Sequence, residues 1–347
     1  MNHIKILRRA LNLTVNYRAL WIFGILLALT TGSGVPSSGG GNNSRSSTNN
    51  APAFNWQNPF GGLVIPSEVA SMWIGIAIGL ACLILVLIVV GTIVRYVSET
   101  ALIRMVDEHE NSGERRTVRQ GFRLGWSRRA WKMFLMDLLV GLGFVTVLLL
   151  LLALAALPLL VWLTQNTPLH VIGTIISAGL ILLLAFAAIV AALAVTLILI
   201  FARRACALEN LGVRDSLHRG YGRVRLHLGD VILMGVMMFG IELLLGLATF
   251  LATLAVIVAA ALIAGLPALL AGSIASLFTQ GATPWIVAAI VGAPIFLVAV
   301  IIPGALIGGW KQVFSSSVWT LTYRETLALE QTKVNGGLPA LDSAVKT

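Results

Sequence analysis

"LGVRDSLHRGYGRVRLHLGD", Leu211–Asp230, decides how the rest of the chain is read. It separates two apolar runs, one ending "LAVTLILIFARR" and the next opening "VILMGVMMFG". Leu217, Tyr221, Val224 and Leu228 recur at i, i+4, i+7 and i+11, a spacing that gathers side chains on one helix face. Arg219 and Arg223 fall away from that face, and Arg214 and Arg225 add further charge. Such a helix belongs in the membrane plane, with its apolar side among acyl chains and its arginines near lipid phosphates. Asp215 and Ser216 are suited to cap its start.

The composition agrees. Of 347 residues, 58% are hydrophobic and 11% charged, too little polar surface to cover a soluble core of that size. Several uncharged apolar runs exceed eighteen residues, the length of helices that cross lipid. The short alternating strands of a membrane barrel do not occur. The expected fold class is an all-α integral membrane protein with about six transmembrane helices. They fall near Ala19–Thr31, Met72–Val94, Met133–Leu163, Val171–Phe201, Val231–Ile263 and Trp285–Gly309. The first needs Val15–Arg18 to reach across. Others are overlong, since thirty helical residues make about 45 Å against a hydrocarbon core of about 30 Å. Pro158 and Pro267 are places for breaks. Val231–Leu277 reads as one span, or as two parted near Ala260.

The net charge of +10 does not point to nucleic acid, because the basic residues flank apolar spans instead of forming a patch on a soluble domain. With six spans, 23 of the 24 Lys and Arg fall on one side, Arg45 being the exception. That side is cytoplasmic by the positive-inside rule, with both termini inside. Trp21, Trp73, Trp162, Trp285 and Trp310 stand near span ends, where interfacial aromatics gather. "ALTTGSG" is a poor cleavage site, so the N-terminal run is expected to be retained. Residues 32–66 read as a mobile Gly/Ser/Asn-rich outer loop, and 331–347 as a cytoplasmic tail.

Leu7–Leu27 can be laid over Val118–Leu139, so that Arg8 meets Arg119, Leu13 meets Leu124, Arg18-Ala19 meets Arg129-Ala130 and Phe23 meets Phe134. Gly121-Phe122 lies over Gly220-Tyr221 of the third copy. The expectation is three repeats, about 1–110, 111–210 and 211–330, each a basic interfacial helix followed by a transmembrane hairpin. In the first copy Ile4, Leu7, Leu11 and Val15 make the apolar stripe. In the second, Arg129 falls on the stripe of Val118 and Phe122. Arg119, Arg123, Arg214, Arg219, Arg223 and Arg225 are the candidate ligands for anionic lipid headgroups; the bland reading is that these helices are topology anchors alone.

"FARRACALENLGVRDSLHRGYGRVRLHLGDVIL" resembles a segment of bacterial proteins in the glycerophosphoryl diester phosphodiesterase membrane-domain group. Arg204, Glu209, Gly212, Val213, Asp215, Ser216, Arg219, Gly220 and Tyr221 carry the likeness, and "NYRALWIFGILLAL" at Asn16–Leu29 adds to it. The resemblance implies a multi-span architecture in the bacterial cytoplasmic membrane. The phosphodiesterase barrel of some relatives is not expected here, so almost no chemistry is implied.

The residues themselves offer no nucleophile constellation, phosphate-cradling glycine loop or metal-ligand spacing. No cofactor, metal or enzymatic activity is expected, and Cys82 and Cys206 read as free thiols. Two carboxylates, Glu242 and Asp137, sit inside predicted spans. Ionisable residues there are functional candidates by default; the alternative for Glu242, placed near mid-membrane, is a hydrogen-bonded residue facing a neighbouring helix. Gly75-x-x-x-Gly79 and Gly304-x-x-x-Gly308 suggest close-packing faces, and Pro294 with Pro303 a kinked span. The leading function is a non-enzymatic inner-membrane protein that organises or senses the cytoplasmic leaflet, or scaffolds a membrane-protein partner, with anionic lipids as partners and no nucleic acid. The alternatives are a small-molecule or lipid transporter using Glu242, and an accessory subunit of a larger membrane complex.

This topology predicts that single cysteines at Ser38, Asn166 and Gly281 label from outside. Those at Asn111 and Thr347 should label only from the cytoplasmic side. Outside labelling at Thr347 would remove the even span count.

Overall fold

The computed structural model describes residues 2–32, 67–163, 167–278 and 283–336. The Gly/Ser/Asn-rich segment after Gly32 and the tail beyond Gly336 lie outside the described residues. Every regular element described is helical. They are α1 (His3–Asn16), α2 (Ala19–Thr31), α3 (Ser67–Ser112), α4 (Val118–Gly125), α5 (Arg128–Ala156), a 3₁₀ segment (Leu157–Leu163), α6 (Thr167–Glu209), α7 (Val213–Leu226), α8 (Leu228–Ser276) and α9 (Thr283–Gly336). Five of these, α3, α5, α6, α8 and α9, are long and apolar enough to cross a membrane. A sixth crossing arises if the bent pair α1–α2 counts as one span.

That bend corrects one expectation. The chain turns by 97° between α1 and α2, where the buried Tyr17 ring lies against His109 and its hydroxyl donates to the Arg116 carbonyl at 2.9 Å. Val15–Arg18 therefore cannot extend α2, whose 13 residues make about 20 Å of helix. A similar break at Trp126–Ser127 separates α4 from α5. Arg129 thus belongs to α5, and its clash with the α4 stripe disappears. Of the two expected proline breaks, Pro158 falls in the 3₁₀ segment after α5, but Pro267 stays inside an unbroken α8. The reading of Val231–Leu277 as two spans is overturned by that continuity.

The three short helices share one design. Each joins the next helix through one or two residues. Asn2 caps α1 by accepting from the Lys5 N–H at 3.1 Å, and Gln120 reaches back to the Thr117 N–H at 2.9 Å at the start of α4. The cap of α7 is Gly212 rather than Asp215 or Ser216. It follows Asn210, whose φ of 56° ends α6 in the left-handed region that Asn tolerates. Each short helix then packs on a long helix that runs back to the same end: α4 on α3, α7 on α6, and α1 on α9. The long helices α3, α6 and α9 also touch one another pairwise, so each short helix packs on a different member of a three-helix centre.

Small residues allow this approach. Ala10, Gly121 and Gly220 are buried at corresponding points of α1, α4 and α7. A Cβ at Gly121 would meet Met105 Sδ at 2.4 Å, and one at Gly220 would meet the Ala202 backbone N at 2.8 Å. Gly24 of α2 lies equally close to Gly309 of α9. The expected glycine face at Gly75 and Gly79 behaves differently, because a Cβ at either would meet no other helix within 4 Å among the described residues.

The core gathers at this basic end. Leu20 and Phe23, Leu102 and Met105, Phe201 and Ala205, Val231 and Met234, and Val318 and Trp319 make one buried cluster. Farther out the helices diverge, and none of the most apolar stretch of α3 or α6 is buried. α5 and the 3₁₀ segment meet the outer part of α6, where the Ser177 hydroxyl donates to the Ala155 carbonyl at 2.9 Å, and α8 and α9 stay paired over much of their length. Gly272 faces Ala288, and Gly292 faces Ala268. The fold predicts that Gly220→Ala lowers thermal stability in detergent by about 1–3 kcal/mol through overpacking. Gly222→Ala, with open space at its Cβ, should be neutral or stabilising by up to about 1 kcal/mol through helix propensity.

Candidate functional site

Charge in this protein is concentrated where the helices converge. Arg203, at the inner end of α6, reaches both α5 and α3. Its Nε and Nη2 donate to the two Asp137 oxygens at 3.0 and 2.6 Å, and its Nη1 donates to Glu99 Oε1 at 3.0 Å. The Tyr96 hydroxyl donates to Asp137 Oδ2 at 2.9 Å. One guanidinium thus ties three helices together. A partly buried ion pair of this kind holds only when donors and acceptors are matched, and here Asp137 accepts from both Arg203 and Tyr96.

A second node fixes α7. Glu209, the last residue of α6, accepts from Arg223 Nη2 at 2.9 Å, from Arg219 Nε at 3.2 Å and from the Tyr323 hydroxyl at 2.5 Å. The Arg223 guanidinium carbon lies 4.2 Å from the Tyr323 ring centroid, within cation–π range, and Glu330 approaches Arg223 Nε at 3.6 Å. Beside this node Arg204, 5% exposed, donates to the Ile200 carbonyl at 2.7 Å and to the Ser316 carbonyl at 3.4 Å. Cations also close the inner end of α6, where orphan carbonyls collect. Arg129 donates to Ala207 O at 2.6 Å, and Lys132 to Asn210 O and Leu211 O at 3.3 Å each. Arg324 joins α9 to Asp107 and Asn111 of α3, and Arg9 joins α1 to Glu110.

Several sequence expectations are corrected by this arrangement. Arg223 is 3% exposed and committed to Glu209 and Tyr323, so it cannot serve a lipid headgroup. Arg219 is exposed but also bonds Glu209. Arg214, Arg225, Arg119 and Arg123 remain exposed. The buried face of α7 is Ser216, Gly220, Arg223 and Val224, while Tyr221 and Leu228 of the expected stripe face outward. Burial follows this set because only small residues let α7 approach Ala202. On α1 the inward face is Ile6, Ala10, Leu13 and Tyr17, and Ile4, Leu11 and Val15 are exposed.

Both candidate carboxylates change character. Asp137 is not a free intramembrane acid but the anchor of Arg203. Glu242 is exposed on α8, where the Ser315 hydroxyl lies 3.5 Å from its Oε1. Ser315 follows Lys311 by four residues on the inward-running α9, about 6 Å nearer the basic end. Glu242 therefore lies on the basic-end side of Lys311.

Sequence reading missed Tyr96, Glu99, Arg203 and Tyr323 as partners, since their sequence separations run to 114 residues. The one available signal was the family-like string from Arg204 to Tyr221, whose Glu209, Arg219 and Gly220 all act at the α6–α7 junction.

The chain matches, over residues 8–321, the family described as a family of unknown function (DUF7544), and it belongs to that family. No curated protein and no solved structure matches it.

Arg203→Met is expected to lower stability by about 3–5 kcal/mol, because it strands two partly buried carboxylates. Removing all three charges together, with Glu99→Leu and Asp137→Leu, should restore most of that loss. Glu242→Gln should change thermal stability by less than about 0.5 kcal/mol, and complement a deletion strain fully.

Proposed function

We propose that this chain is a non-enzymatic organiser of the cytoplasmic leaflet, sitting in a bacterial inner membrane with its basic end inside. One observation carries the reading: each short helix exposes apolar side chains beside exposed arginines at the same end of the molecule. On α1 these are Ile4, Leu11 and Val15; on α4, Phe122; on α7, Tyr221 and Leu226. Arg8, Arg119, Arg123, Arg214 and Arg225 are exposed on the same helices. A helix apolar on one outward flank and cationic on the next suits the boundary between acyl chains and anionic headgroups. The buried nodes at Arg203 and Glu209 hold α7 and the helices it packs on in fixed places, so the short helices would present their arginines as a rigid pattern.

This arrangement also supports descent from three repeats, and with it the resemblance to the glycerophosphoryl diester phosphodiesterase membrane-domain group as a shared architecture. The transporter reading gains nothing from Glu242, which is exposed and inward of Lys311. A partner role is compatible with α8. Its exposed apolar residues extend from Ile232 to Leu277, about 67 Å of helix, more than twice the hydrocarbon thickness. Tilts of membrane helices reach about 40°, which leaves apolar surface for a neighbouring protein to cover.

The test uses the purified full chain in mixed vesicles. Anionic phospholipid should be enriched around it, and enrichment should fall as salt rises, because exposed charges are screened. Changing Arg119, Arg123, Arg214 and Arg225 together to Gln should abolish the enrichment while leaving thermal stability intact. Equal enrichment in that variant and the parent would refute the reading.

A further inference from the structure

A groove of about 700 Å³ opens between α3 and the start of α5, a volume typical of sites for small organic ligands. Its floor is Ile88, Val89, Ile93 and Val97 of α3, and Phe134 and Trp131 form the opposite wall. From Ile88 to Val97 the floor extends about 14 Å along the helix. The groove is amphipathic along its length. The apolar part lies on the lipid-crossing stretch of α3, whereas the inner end carries Ser127 and Arg128. Arg128 is exposed and is the only charged residue in the lining. The Ser127 hydroxyl is buried, makes no cap bond to α5 and has no hydrogen-bond partner among the described residues. The other hydroxyls of the lining are already engaged, Thr92 with the Ile88 carbonyl and Tyr96 with Asp137. Trp126 and Trp131, 69% and 62% exposed, flank the mouth as indoles do at headgroup depth.

We propose that this groove binds one phospholipid with an anionic headgroup, its acyl chain along Ile88–Val97 and its phosphate at Arg128 and Ser127. The charge match decides the occupant. A cation and a hydroxyl donor at the interface level, with no acid in the lining, complement a phosphate, and the apolar trough running outward complements the chain. The proposal rests on the leaflet-organising reading only for the side of the membrane. It adds a single defined site, distinct from the exposed arginines of α4 and α7.

The experiment places the full chain in phosphatidylcholine nanodiscs doped with phosphatidylglycerol bearing a diazirine in one acyl chain. Crosslinked residues are then mapped by mass spectrometry. Labelling is expected to concentrate on Ile88–Val97 and Trp131–Phe134. Arg128→Gln should lower labelling there about fivefold, the factor that one basic residue near an anionic surface is worth. Ile93→Trp, at an exposed position, should fill the trough and abolish local labelling without lowering thermal stability. A diazirine phosphatidylcholine should label the groove weakly and be indifferent to Arg128→Gln.

Labelling spread evenly over the lipid-facing sides of α3, α6 and α8, and unchanged by Ile93→Trp, would overturn the site. So would a groove signal equal for the two headgroups. Either result leaves the leaflet reading standing if neutralising Arg119, Arg123, Arg214 and Arg225 still abolishes bulk anionic enrichment. Groove labelling that persists, in a variant whose neutralised arginines leave bulk anionic enrichment unchanged, supports the site while the leaflet reading fails.

Discussion

The fold depends on a guanidinium that three helices share. Arg203 spends its donors on Asp137 and Glu99, so α3, α5 and α6 are joined at one point. Apolar contact alone does not choose a register between smooth helices, because lipid tails are as apolar as leucine. A charge left unmatched at low dielectric costs far more than a displaced methyl group. The ion pairs therefore set where the helices meet, and the outer halves are free to diverge.

The consequence is an inverted distribution of packing. In a soluble bundle the apolar segments would be buried and the charged ends exposed. Here the most apolar stretches of α3 and α6 are wholly uncovered, while Arg204, Arg223, Thr100 and Thr322 are buried. The surrounding lipid satisfies the former. At the basic end, tight junctions at Gly121, Gly220 and Gly24 bring the backbones close enough for charged side chains to reach one another. The short helices then become struts of the core on one side and carriers of apolar and basic groups on the other.

Composition and run length were sufficient to identify helices long and apolar enough to cross lipid, because those properties are local: each depends on residues within a turn or two. The breaks before α5 and α8 were not legible, since the apolar stripe read along α7 continued through Leu228, the first residue of α8. What only the tertiary structure decided was which face of each helix turns inward and which charges find partners. Spacing put Tyr221 on the lipid-facing side of α7, and it is exposed, but spacing could not show that Gly220 beside it makes the inward contact with Ala202. Arg223 looked like a lipid ligand but is buried against Glu209 and Tyr323, residues 14 and 100 positions away. Glu242 was legible as an acid within an apolar run, but only the pairing of α8 with α9 showed that it faces Ser315. Pairings at such separations leave no periodicity in the chain. They exist only once backbone approach and desolvation have been settled together in three dimensions.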